Sequence, residues 1–122
     1  MLGRHRVLVM EDESAIAEHL TDILTEAEGV VVGPAASLRQ AQALLRNGTA
    51  VDAALLDLSL PDGAVTPVLE ALSARGVPTV IYTGGDLPSD VRDRHPGLVV
   101  LAKPAAPARL IAELRRATRQ LP

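Results

Sequence analysis

Cysteine, phenylalanine and tryptophan are absent from this sequence of 122 residues, and Tyr82 is its single tyrosine. The absence of cysteine excludes a disulfide framework and a thiolate nucleophile. The hydrophobic core must therefore be built from Val, Leu, Ile and Ala, which is feasible because 48% of the residues are hydrophobic. The length fits one domain, and we expect residues 1–122 to form it.

Long hydrophobic runs and a strong charge of either sign are also missing. The apolar run at residues 7–10 follows basic residues but is too short for the core of a signal peptide, and no segment approaches a membrane span. The formal net charge of −3 argues against a nucleic-acid-binding surface, which is normally basic. We therefore expect a cytoplasmic protein whose partners include neither membranes nor nucleic acids.

Apolar runs of strand length alternate with segments of helical period along the chain. Runs that are apolar on both faces indicate a parallel sheet buried between helices. Five such runs predict an α/β protein with the flavodoxin-like, doubly wound (βα)5 fold, whose five-stranded parallel sheet has the order 2-1-3-4-5. The runs lie at residues 7–10, 30–32, 53–56, 79–82 and 98–101.

The fourth helix is predicted to be short or irregular. Only 19 residues separate Thr83 from Lys103, and they include three glycines and two prolines, which leaves at most a helix from Ser89 to His95. Val91 is its only candidate for burial, so we expect residues 84–97 to be the least ordered part of the domain. The three histidines of the chain have no metal-ligand spacing, and we expect them to be solvated.

Reactive side chains stand at the ends of four of the five predicted strands. These are Glu11 and Asp12 after the first strand, Asp57 after the third, Thr83 at the fourth and Lys103 after the fifth. In open α/β sheets the ligand site lies at the carboxyl ends of the strands, so these residues should converge. Three carboxylates beside one ammonium favour a hard divalent cation, for which Mg²⁺ is the best candidate. The set predicts phosphoryl transfer, with a carboxylate able to become an aspartyl phosphate.

Lys103 is the only lysine, whereas the other eleven basic residues are arginine. Lysine provides a compact point charge and arginine a planar fork, so the two suit different phosphate geometries. A single lysine at a strand end, followed by proline and facing carboxylates, favours a specific role near a phosphoryl group over that of a surface charge.

Four motifs, in this order, resemble the bacterial response-regulator receiver family of the chemotaxis-regulator type. They are VLVMEDE at residues 7–13, LLDLSLPDG at 55–63, IYTG at 81–84 and LAKP at 101–104. The resemblance implies a phosphoacceptor domain of two-component signal transduction, with Asp57 as the acceptor. It also implies a sensor histidine kinase or a histidine phosphotransfer protein as the donor, an unknown protein as the downstream target, and Mg²⁺ as the cofactor.

The resemblance assigns the metal to Asp12 directly, with Glu11 assisting through water, and to Asp57 and the backbone carbonyl of Ser59. It gives Lys103 the phosphoryl oxygens as partners.

By the same resemblance, Thr83 would move to hydrogen-bond the phosphoryl oxygens, and the Lys103–Pro104 peptide bond is commonly cis in the family. Two features depart from it. The usual aromatic residue three positions before the lysine is Val100 here, and the fourth helix is shortened. Both lie on the face that normally carries output, which puts conventional dimerisation or target docking through that face in doubt.

Two other functions fit part of the pattern. A pseudo-receiver would bind a partner without phosphorylation. The altered fourth helix favours this function, whereas the complete acidic pocket argues against it. An aspartate-nucleophile phosphohydrolase of the dehalogenase-like class shares Asp, Lys, Thr and Mg²⁺, but it has a cap domain and a second Asp where this chain has Ser59. We therefore expect a phosphoacceptor with at most slow self-dephosphorylation rather than an enzyme, and no output domain in this chain.

Overall fold

A computed structural model describes residues 2–58, 65–85 and 87–119. Strands and helices alternate five times along this part of the chain, which confirms the predicted α/β class. None of the helices in these ranges combines the length and apolar character needed to cross a bilayer. The elements are β1 (Arg6–Met10), α1 (Ser14–Glu26), β2 (Val30–Ala35), α2 (Leu38–Arg46), β3 (Ala53–Leu56), α3 (Thr66–Ala74), β4 (Thr79–Thr83), α4 (Ser89–Arg94), β5 (Val99–Ala102) and α5 (Pro107–Arg119).

The strands form one parallel sheet in the predicted order, β2-β1-β3-β4-β5. In the centre of the sheet Val9 lies beside Leu55, and Leu55 lies beside Val80. The direction of winding reverses between β1 and β3, because β2 lies on one side of β1 and all later strands lie on the other. The carboxyl ends of β1 and β3 therefore border the crevice where open sheets of this kind bind ligands.

Helices cover both faces of the sheet, and the alternation of side chains along each strand decides which face a residue meets. Helices α1 and α5 pack on one side, here called the α1/α5 face, against residues that include Val9 and Leu55. Helices α2, α3 and α4 pack on the other side, the α2–α4 face, against residues that include Leu8, Leu56 and Ile81. Apart from Met10 and Tyr82, the buried side chains of both layers are aliphatic, as the scarcity of aromatic residues requires.

Helix α4 is only six residues long, as predicted. Val91 is its buried residue, and Leu87, just before the helix, is buried as well. This second apolar contact supplements the single residue expected from the sequence. The helix is nevertheless much shorter than the 13-residue helices α1 and α5, so its order depends on a few side-chain contacts.

The expectation that all three histidines are solvated is correct for His19, which is exposed, and wrong for the other two. His5 is half-buried, and its Nδ1 donates to the Leu2 carbonyl at 2.7 Å. His95 is also half-buried, and its Nε2 is buried without a hydrogen-bond partner among the described residues. The chain turns from α4 towards β5 at His95, where the Leu98 amide donates to the His95 carbonyl.

Candidate functional site

Sheet pairing extends one residue beyond the carboxyl ends of β1, β3 and β5. The backbone N–H groups of Glu11, Asp57 and Lys103 each donate to a carbonyl of the neighbouring strand, at 3.0, 2.9 and 2.9 Å. These bonds continue the backbone ladder, so the sheet fixes the three residues before the loops begin. Side chains on such rigid positions are suited to chemistry that depends on geometry.

The same continuation sets the direction of the three side chains. Side chains alternate along a strand, so residues two apart share a face. Glu11, Asp57 and Lys103 therefore project on the α1/α5 side of the sheet. Each comes two residues after a core residue of that face, namely Val9, Leu55 and Leu101.

Lys103 joins the two buried carboxylates. Its Nζ donates to Glu11 Oε2 at 2.8 Å and to Asp57 Oδ2 at 3.1 Å. The Lys103 side chain is 17% exposed, whereas those of Glu11 and Asp57 are 1% and 4% exposed. Charge-assisted hydrogen bonds are strong at a site so little exposed to water, so they hold the ammonium in place. Loss of one partner would leave a buried charge without compensation.

Burial dominates the protonation equilibrium of Glu11. It raises the pKa of Glu11 above its ordinary value, the Lys103 ammonium offsets part of this rise, and the Asp57 carboxylate adds to it. Burial alone would lower the pKa of Lys103, but the hydrogen bonds to Glu11 and Asp57 outweigh it, so that pKa is raised. The ammonium is thus kept charged, while burial, together with the charge of Asp57, makes Glu11 harder to ionise.

Three carboxylates converge at this point. Glu11, Asp12 and Asp57 each offer an oxygen that lies within 4.8 Å of the other two, with Asp12 exposed and its two neighbours buried. The ammonium of Lys103 compensates only one of three negative charges. Oxygen ligands with an excess of negative charge and one side open to water suit Mg²⁺, which usually retains several water ligands. The residues present therefore fit the predicted cofactor.

Ser59 and Thr83 are the two remaining predicted site residues. Ser59 lies outside the described residues. Thr83 is buried at the end of β4, and its Oγ1 accepts a hydrogen bond from the Gly85 amide at 3.2 Å. That is the only side-chain hydrogen bond of Thr83 among the described residues. Thr83 is thus engaged with the loop that follows it.

Tyr82 contacts the site, although the sequence analysis assigned it no role. Its ring centroid lies 5.5 Å from Lys103 Nζ, and its hydroxyl accepts a hydrogen bond from the Ala105 amide at 3.2 Å. The Lys103–Pro104 peptide bond between these two contacts is cis, as the resemblance implies. The sequence did hold a signal for Tyr82, because it is the only aromatic residue of the chain and immediately precedes Thr83.

A cleft of about 510 Å³ opens beside the carboxylates, between α1 and the end of β2. Its walls include Glu11, Asp12, Glu18 and Pro34, so one side of it is acidic. A larger cleft of about 630 Å³ lies between α1 and α5, and none of the three clustered carboxylates lines it. Of these two clefts, only the smaller is lined by members of the acidic cluster, namely Glu11 and Asp12.

Known proteins resemble this chain over nearly its whole length. The family model described as "Response regulator receiver domain" matches residues 7–115. No curated protein sequence matches the chain.

Solved structures match it as well. A CheY-like receiver domain protein from Methanospirillum hungatei JF-1 is 26% identical with a TM-score of 0.84, and the match covers 95% of this chain and 94% of that one. A response regulator receiver protein from Sinorhizobium medicae WSM419 is 21% identical with a TM-score of 0.86, over 98% of both chains. SdrG from Pseudomonas melonis Fr1, solved in a BeF3-activated conformation, is 38% identical with a TM-score of 0.72, over 94% and 99%.

Proposed function

We propose that this chain, which belongs to the response regulator receiver domain family, accepts a phosphoryl group on Asp57 in two-component signal transduction. One observation carries the proposal. The buried Asp57 carboxylate shares the ammonium of the only lysine with a second buried carboxylate. An oxygen nucleophile and a cation able to balance an incoming phosphate are thus held side by side on the sheet.

The phosphoryl donor is a phosphohistidine, carried by a sensor histidine kinase or a histidine phosphotransfer protein. An oxygen of Asp57 attacks the phosphorus, so that a P–O bond forms and the P–N bond of the phosphohistidine breaks. The electron pair of that bond stays on the imidazole nitrogen, which takes up a proton. Such a transfer needs little from the protein beyond positioning and charge balance, which the fixed strand ends supply. Because the donor kinases use cytoplasmic ATP, we infer that the chain works in the cytoplasm.

Charge balance also explains the acids around Asp57. Glu11, Asp12, Asp57 and the backbone carbonyl of Ser59 would hold Mg²⁺, with Glu11 contributing through water. When bound, this ion offsets the negative charge of the carboxylates and of the phosphoryl oxygens. Lys103, already 3.1 Å from Asp57 Oδ2, would pair with a phosphoryl oxygen once Asp57 is modified.

Thr83 connects the acceptor to the rest of the domain. Its hydroxyl now accepts from the Gly85 amide. Turning that hydroxyl towards a phosphoryl oxygen would release the Gly85 amide and alter the start of the loop that leads to α4. An activated state of this domain is supported by SdrG, a relative that has been solved in a BeF3-activated conformation.

The intact mass of the protein tests the proposal directly. Incubation with acetyl phosphate and Mg²⁺ should add the mass of one phosphoryl group, and chelation of Mg²⁺ should prevent it. The Asp57→Asn variant should add none. Asp52→Asn is the matched control, because Asp52 lies at the other end of β3, where it accepts the Arg6 amide at 2.7 Å. Undiminished uptake by Asp57→Asn would contradict the assignment, and no uptake by the unmodified protein would favour a pseudo-receiver.

A further inference from the structure

Tyr82 contacts both Lys103 and the segment after it. It lies on β4 opposite Leu101 of β5, and it is 7% exposed among the core residues of the α1/α5 face. Val80, two residues earlier on the same strand, belongs to the same cluster and is fully buried. The alternation that directs Val80 into the core therefore directs Tyr82 towards the site, where β4 ends.

Two different parts of the phenol make contacts. The ring lies 5.5 Å from Lys103 Nζ, within the range of a cation–π interaction. The hydroxyl accepts from the Ala105 amide at 3.2 Å, two residues beyond the lysine. One rigid side chain thus contacts the ammonium and also the backbone that follows it.

A lysine at this position needs such support. Its four-carbon stem is flexible, and its charge is a point that can pair with any nearby oxygen. Glu11 and Asp57 hold the ammonium in the present state. Under the proposed function, however, Lys103 would exchange its contact with Asp57 for one with a phosphoryl oxygen once Asp57 is modified. The face of an aromatic ring attracts the cation without competing for those oxygens, because it offers a quadrupole instead of a lone pair.

We propose that Tyr82 is a positioning residue for Lys103, with its ring keeping the ammonium over the acidic cluster while the carboxylate partners change. This inference rests on the proposed role of Asp57 as acceptor. The ring carries the effect, and the hydroxyl has the secondary task of holding the Ala105 end of the loop. Tyr82→Phe should therefore retain most of the function, whereas Tyr82→Leu should lose it.

Acetyl phosphate labelling of the full chain measures the effect on the reaction. With Mg²⁺ present, Tyr82→Leu should slow the gain of phosphoryl mass roughly threefold to tenfold, as expected for loss of a partly buried cation–π contact. Tyr82→Phe should stay within about twofold of the unmodified protein. Val80→Ala is the control, because it removes buried volume from the same strand and face without touching Lys103. Equal rates for Tyr82→Leu and Val80→Ala would overturn the proposal.

A spectroscopic measurement separates this proposal from the proposed function. Lys103 is the only lysine, so labelled lysine gives one set of side-chain NMR signals. The ring current of Tyr82 should displace the Lys103 Hε signals, and this displacement should persist in Tyr82→Phe and vanish in Tyr82→Leu. If the protein takes up no phosphoryl group, the proposed function fails, while these signals still decide whether the ring holds the ammonium. Unchanged Hε signals in Tyr82→Leu would refute the positioning role whatever the labelling shows.

Discussion

Removing one carboxylate from the acidic cluster should stabilise the metal-free protein. Asp12→Asn is the most informative change, because Asp12 is exposed and makes no ion pair within the described residues, while its oxygen lies within 4.8 Å of those of Glu11 and Asp57. Asparagine preserves the shape of the side chain and removes only the charge. The substitution therefore relieves repulsion without breaking a buried contact.

The distances set the size of the effect. Two unit charges 4.8 Å apart repel by about 3.5 kcal/mol at an effective dielectric constant of 20, and by about 0.9 kcal/mol in bulk water. Asp12 faces solvent, so the lower value is the better guide for each of its two repulsions, and attraction to the Lys103 ammonium offsets part of them. We expect Asp12→Asn to raise the free energy of unfolding by about 1 kcal/mol, or the Tm by about 4 °C.

Urea unfolding with a chelator and with Mg²⁺ tests this reasoning. The unmodified protein should gain about 2.7 kcal/mol at a free Mg²⁺ concentration a hundred times its Kd, because the ion binds only the folded state. Asp12→Asn should lose most of that gain. Asp22→Asn, an equivalent change at an exposed residue of α1 outside the cluster, should alter neither quantity by more than about 0.5 kcal/mol. If Asp12→Asn destabilises the metal-free protein, or matches Asp22→Asn, the account of surplus charge is wrong.

Three further predictions follow from the same geometry. Lys103→Arg should leave the domain folded but slow phosphoryl uptake about tenfold, because a planar guanidinium cannot replace a single nitrogen that lies 2.8 and 3.1 Å from two oxygens. Intact mass measured against time gives the rate of uptake, and an unchanged rate would contradict the requirement for a compact ammonium. Because burial raises the pKa of Glu11 above 4.5, the stability contributed by its proton is fully present below pH 4.5 and is lost as pH rises through the folded-state value. Glu11→Gln should remove this loss, so the difference in unfolding free energy between the metal-free variant and the unmodified protein should grow with pH, and a constant difference would contradict it. The amide hydrogens of α4 should exchange with solvent at least about a hundredfold faster than those of β4, and their exchange rates should change on phosphorylation. If α4 is as protected as β4 both before and after phosphorylation, the fourth helix is rigid.

The sequence predicted the sheet well because five apolar runs of strand length alternate with segments of helical period. It predicted the ends of the strands less well. The second strand was expected at residues 30–32, yet β2 continues to Ala35 through Gly33 and Pro34. The reason is pairing, since Ala35 lies beside Met10 and its carbonyl accepts the Glu11 amide. The end of β2 therefore depends on its pairing with β1, and the paired residues Met10 and Ala35 are about 25 residues apart in the sequence.

The acids and the lysine were predicted to converge because each follows a strand, and they do. The structure adds a difference that was not predicted, because Glu11 is buried against Lys103 whereas Asp12 is exposed. Alternation along β1 could have separated them, because Glu11 shares the face of the core residue Val9. The distances from Lys103 Nζ to the two carboxylates could not be predicted. They depend on the conformation of a flexible lysine side chain whose partners, Asp57 and Glu11, are 46 and 92 residues away in the sequence.

The alternation of side chains along the strands also places the residues of the site on two different faces of the sheet. The α1/α5 face supplies Glu11, Asp57, Lys103 and the ring of Tyr82, all at positions where the backbone is paired in the sheet. Thr83 has the opposite orientation, because it follows Ile81 of the α2–α4 face by two residues. Its hydroxyl therefore belongs to the side on which α4 packs, and α4 is the helix with the fewest turns. The Thr83 hydroxyl thus connects the rigid reactive residues to α4, the helix whose packing resists a change least. We therefore expect phosphorylation to alter the α2–α4 face and to leave the α1/α5 face unchanged.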